Sequence, residues 1–303
     1  MSEQLTVVRP IEVTPAMLVS SSVPETDHPE WAAGTTYATG QRVIVLATHK
    51  VYQSTADANT GNDPTAPVSI KWVEVGSTNR WKAFDKSVST QVKQATSISY
   101  RIKPGSAITS VNLLNLTGAT SARVRVVAPG EVTVYDKTVA LARTPVETGW
   151  WAWFFGDRRT PTQVLLQDLP SYPTADILID IEGTADLGVG VILLGQLRRF
   201  SLGVKMGARV GIQDYSSKGR NDFGDVIVVA RAFAKRANFS MLLTAGEVDA
   251  LHLFLSGVRA TPCLWIATQR YESTTVYGFY KNFDIVISYF SYSDCDLELE
   301  GLT

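Results

Sequence analysis

Four acids alternate with apolar residues near the end of the chain: Asp294, Asp296, Glu298 and Glu300 against Cys295, Leu297 and Leu299. On a strand this spacing puts four carboxylates on one face and an apolar row on the other. Such a face can dock a basic partner or hold a cation weakly. It can equally be the solvated side of a terminal strand, whose charges discourage edge pairing. The densest aromatic run is Gly149-Trp150-Trp151-Ala152-Trp153-Phe154-Phe155. If it is extended, Trp151, Trp153 and Phe155 share one face and Trp150 and Phe154 the other. Such a run can stack on sugar rings, but its two-sided character favours burial in a core or an interface. Trp151, Trp153, Phe155 and the four acids are therefore the interface candidates.

Other chemistry is thinly represented. The three histidines, His28, His49 and His252, are far apart, and no His-x-x-x-His or Cys-x-x-Cys pair offers metal-ligand spacing. The sequence contains no Gly-x-Ser-x-Gly elbow and no Walker-type phosphate loop. Gly188, Gly190 and Gly195 lie in a strand-like run without a following helix, so packing or bulges explain them better than a dinucleotide site. A glycosidase needs two carboxylates at a set separation, and 29 acids always supply some pair. The expectation is nevertheless no enzyme, with no catalytic residue, cofactor or metal.

The 28 basic residues are scattered among the 29 acids, so no clustered charge points to nucleic acid. The apolar run Leu187 to Leu194 contains two glycines and is strand-sized, so no membrane span is expected. No basic region followed by an apolar one opens the sequence, so no signal peptide is expected. Cys263 and Cys295 read as two buried thiols in a chain made in a reducing cytoplasm, and whether they meet stays open.

The elements that position these residues are mostly strands. Ser97 to Ile102 and Ala122 to Val126 alternate polar with apolar, and Ile177 to Ile181 is nearly continuous. Period-2 runs between turns indicate a mainly β fold. Residues 1–30 read as an arm or linker able to pair with a neighbouring subunit. Residues 31–85 read as a small β module punctuated by Gly, Asn, Asp and Pro turns. Residues 86–204 read as a β-sandwich or jelly roll. Residues 205–303 read as a β-rich domain, with strands near Asp225 to Ala232, Thr275 to Tyr280, Asp284 to Tyr289 and Cys295 to Leu299. One helix is signalled near 245–256. Thr244 and Glu247 fit a capping box, Val248, Leu251 and Leu255 recur at helical spacing, and Ser256-Gly257 ends it.

Trp31, Gly34, Tyr37, Gly40, Val43, Tyr52, Pro64 and Trp72 together resemble the small chitin-binding modules attached to bacterial chitinases and found in phage tail proteins. The resemblance implies a small sheet with exposed aromatics. The family's later aromatic positions read Ser54 to Asn59 here, which leaves Tyr37, Trp72, Trp31 and Trp81 for stacking on carbohydrate. Ile108 to Leu116 and Gly188 to Gly195 look like the galactose-binding-like jelly roll of many tail proteins. Gly211 to Ser216, Asp222 to Gly224, Ala230 to Arg236 and the acidic close resemble phage minor tail or tail-tip proteins.

These resemblances imply a structural component of a tailed-phage tail tip or baseplate in the virion. It would join other tail proteins as a homo-oligomer, a ring or trimer, with weak binding of a host-surface glycan. The alternatives are a dedicated carbohydrate-binding adhesin and, less favoured, a cell-wall glycosidase.

Overall fold

The structure is a computed structural model describing residues 4–302 except 68, 143, 146–148, 201, 221–222, 269 and 288–289; of 144, 145 and 152 the backbone alone is described. The chain is mainly β, and its named strands pair antiparallel. Contacts gather Met1–Ile11 with Leu194–Thr303 into one compact unit and Glu12–Leu193 into another.

The unit that holds both chain ends is built on a sheet. Its neighbours run from the last residues of Asp176–Phe200 through Leu5–Pro10, Cys263–Ile266, Thr275–Val286 and Tyr292–Gly301 to Phe233–Thr244. Gly203–Val204 and Arg209–Asp214 both pair with Phe233–Thr244. Leu5–Pro10 falls in the segment read as an arm, yet it is an interior strand of its own chain. Leu5, Thr6, Val7 and Val8 are all buried, and a strand apolar on both faces belongs inside a sheet. Gly195 pairs with Pro10, and a Cβ there would fall on the Arg9 carbonyl, so packing accounts for that glycine.

Phe239, Met241, Trp265, Val276, Leu297 and Leu299 form the core on one face of this sheet. The helix Val248–Gly257 docks on that core through Leu251, Phe254 and Leu255. Burying each such side chain contributes about 1.5–3 kcal/mol, which holds a helix too short to persist alone. The Glu247 carboxylate accepts hydrogen bonds from the Thr244 amide at 3.0 Å and the Thr244 hydroxyl at 2.9 Å. The Thr–Glu pair is thus made, but it sits in the turn ahead of the helix rather than with Thr244 as its cap. Thr275–Val286 is a single strand with a register shift between Tyr280 and Asn282, where the sequence suggested two strands; Tyr289 lies outside the described residues.

In the other unit, the 19-residue strand Ser110–Ala128 pairs with Gln163–Leu166, with Val132–Ala140 and with Asp176–Phe200. Ser97–Ile102 pairs with Asp176–Phe200 and with Leu18–Ser21. Ile98, Tyr100, Val111, Leu113, Ile177 and Ile179 are among its buried residues. Gly118 takes φ +63°, and a Cβ on Gly183 would fall on the Gly118 carbonyl, so this crossing of long strands requires both glycines. The same unit contains a three-stranded sheet of Arg42–Val45, Lys50–Ser54 and Trp72–Ser77, with Thr36–Tyr37 pairing Asn59–Thr60 beside it.

Candidate functional site

The four acids do share one face of Tyr292–Gly301, with Cys295, Leu297 and Leu299 buried on the other. The strand is not terminal in the sheet: Phe233–Thr244 pairs with it on one side and Thr275–Val286 on the other. The discouragement of edge pairing therefore has no edge to act on. The chain's own groups engage the carboxylates. Lys205 pairs with Asp294, and the Ser240 hydroxyl donates to Asp296. Arg236 Nη2 donates to Glu298 Oε1 at 3.0 Å, with Lys281 Nζ at 3.7 Å from the same oxygen. The Tyr215 hydroxyl donates to Glu300 Oε1 at 3.1 Å, and that bond raises the phenol pKa. Cross-strand cations thus reduce what the row can offer a basic partner. No cluster of three or more metal-ligating side chains occurs among the described residues.

Tyr37 and Trp72 meet in the small module as core residues, with ring centroids 5.2 Å apart and planes 69° apart. Trp72 Nε1 donates to the Asn62 carbonyl at 2.9 Å, and the Tyr37 hydroxyl accepts from the Ala32 amide at 2.9 Å. Val43 and Tyr52 complete this core, and Trp31 packs against it, half-buried. Trp81 is also buried, stacked on His49 at 4.6 Å. A ring must present its face to stack on a sugar, and burial denies that to Tyr37, Trp72 and Trp81. For Tyr37 and Trp72 the reason is size: a three-stranded sheet must spend its few aromatics on its own core.

His49 leads to a cluster that the sequence did not reveal. Its Nδ1 lies 3.1 Å from both oxygens of Glu25, whose side chain is 5% exposed, and Arg80 Nη1 lies 3.6 Å from Oε1 of the same carboxylate. Arg80 Nε also donates to the Val23 carbonyl at 2.7 Å. Val23 and Glu25, within residues 1–30 read as an arm or linker, are held in place by these contacts. Their partners lie 24 and 57 residues away in sequence, and no local pattern links them.

The aromatic run is a helix, Trp150–Phe155, and not the extended segment on which the facial assignment rested. All five rings are exposed, between 58% and 72%. Trp151 and Phe155 pack on one another at 4.4 Å, the i, i+4 relation of a helix.

A further apolar surface lies on a hairpin arm that continues from the sheet of the chain-end unit. Arg209–Asp214 pairs with Phe233–Thr244, and Ser217–Arg220 then pairs with Val226–Val229. Val226, Ile227, Val228 and Val229 are exposed, as are Ile212, Phe233 and, at 91%, Phe223; Asp222 lies outside the described residues. Among the described residues Val226–Val229 pairs only with the polar Ser217–Arg220. An edge strand of β-branched residues, exposed on both faces, is a template for another strand. Its four-residue apolar run was a strand signal in the sequence, but its exposure was not legible there. A cleft of about 440 Å³ at the base of the arm is lined by Tyr215, Arg231, Phe279, Lys281 and Glu300, among others.

No family model, no curated protein and no solved structure matches the chain.

Proposed function

We propose that the chain is a non-enzymatic assembly subunit that packs against other protein subunits in a tailed-phage tail tip or baseplate. The observation that carries the assembly reading is the arm. With Val210 and Tyr215, the nine large apolar side chains exposed between Val210 and Phe233 present on the order of 1,000 Å², against about 800 Å² per partner in a standard interface. A surface this apolar on a lone subunit is a liability that a neighbouring subunit removes. The virion setting rests on the resemblance of the carboxy-terminal segment to minor tail proteins. The test is sedimentation velocity of the full chain, alone and with purified tail tips. The expected result is a concentration-dependent oligomer that the Ile227→Lys, Val228→Lys double substitution reduces to monomer. A wild-type chain that stays monomeric at high concentration and never sediments with tail tips would overturn the reading.

A further inference from the structure

We propose that the helix Trp150–Phe155, with Arg158 and Arg159 beside it, is an anchor that inserts into the headgroup layer of an anionic lipid bilayer. The inference stands independently of the assembly reading, because the aromatic helix belongs to the other unit and uses none of the arm.

Four features point to a lipid surface. The first is angular. At about 100° per residue, Trp150, Trp151, Trp153, Phe154 and Phe155 sweep an arc of about 200° around the helix axis. A helix lying on a flat protein surface covers a stripe of only about 100°. Rings over half the circumference, each more than half exposed, suit a fluid medium that closes around them.

The second feature is ring chemistry. Three of the five are indoles, which combine an apolar body with one N–H donor and so favour the boundary between hydrocarbon and headgroups. The third is charge. Arg158 and Arg159 are exposed and follow the helix after Gly156 and Asp157, and guanidinium groups recognise phosphate. The Arg158 guanidinium lies 6.0 Å from the Trp153 ring centre and donates to the Trp153 carbonyl at 3.1 Å, so cation and aromatic surface form one patch. Arg143 to Arg159 carries three arginines against Glu147 and Asp157, a small excess of positive charge.

The fourth feature is the mounting. Arg158–Arg159 pairs with Thr144–Pro145, so a short ladder closes the base of the excursion that carries the helix. A helix of six residues cannot cross a bilayer, so the anchor lies in the interface.

The experiment uses the full chain with vesicles of pure phosphatidylcholine and of phosphatidylcholine with phosphatidylglycerol. Flotation measures binding, and tryptophan emission reports insertion. Trp72, Trp81 and Trp265 are buried already, so a shift reports chiefly the three indoles of the helix. The expected result is flotation with anionic vesicles and a blue shift. Trp151→Ser with Phe155→Ser should weaken binding at least about tenfold. Arg158→Glu with Arg159→Glu should abolish the preference for the anionic vesicles. Unchanged far-ultraviolet dichroism and melting establish that both variants fold. The proposal fails if the wild-type chain does not float, or if it floats equally well after the aromatic substitutions. It also fails if those substitutions abolish self-association and leave vesicle binding unchanged, which would make the helix a protein interface.

Discussion

A Cβ on Gly278 would fall on the carbonyl oxygen of Glu300, because Thr275–Val286 and Tyr292–Gly301 approach closely where Gly278 pairs with Gly301. The same glycine's carbonyl accepts a hydrogen bond at 3.0 Å from Nε1 of Trp265, a fully buried indole. Gly278→Ala must push these strands apart and loosen that bond. The expected cost is about 1–3 kcal/mol, read by urea denaturation. Gly211→Ala, with no atom within 4 Å of the added carbon, should be close to neutral.

Trp72→Ala removes the largest side chain of the small module's core and leaves the Asn62 carbonyl without its indole donor. The expected loss is about 3–5 kcal/mol, seen as early proteolysis within residues 31–77. Tyr37→Phe keeps the ring against Trp72 and removes the acceptor of the Ala32 amide, so it should cost only about 1 kcal/mol. Equal stability of Trp72→Ala and the wild-type chain would contradict the assignment of these rings to the core.

Glu25→Ala leaves Arg80 and His49 without their shared carboxylate. Both partners are partly exposed, so solvent takes up some of the loss, and about 2 kcal/mol is expected. Amide exchange should rise first around Val23, whose carbonyl Arg80 holds. Protection unchanged at Val23 would show that the carboxylate does not organise this segment.

Burial pushes the thiols of Cys263 and Cys295 from 9.0 up to about 12. A folded-state pKa above the unfolded one favours the fold fully below pH 9 and loses that contribution as pH rises toward 12. Stability should therefore fall across that window, and burial of the Tyr100 phenol acts in the same direction. The Cys263→Ala, Cys295→Ala double substitution should flatten the fall, measured by urea midpoints from pH 8 to 11. At pH 8 neither thiol should react with a disulfide reagent until the chain unfolds, since both are buried and free.

Much of the architecture was legible because a strand writes a period of two into its own residues. The alternation of Asp294 to Glu300 with Cys295, Leu297 and Leu299 announces a strand with one buried face, and that is what forms. The docked helix was legible for the same reason: Leu251 and Leu255 recur locally, and both are buried against the sheet. The aromatic run was not. Trp150 to Phe155 is apolar at nearly every position, so neither period shows, and the backbone there is helical.

By itself the sequence determined the β character, the position of the docked helix and the inward and outward faces of the strands, because these follow from side-chain spacing along a few neighbouring residues. Only the tertiary structure decided which groups neutralise the acids, that Tyr37 and Trp72 meet as a core, that Leu5–Pro10 lies inside the sheet, and that Val226–Val229 stands exposed. Each depends on which distant segments pair. Pairing is chosen by the packing of the whole chain, which no local period encodes.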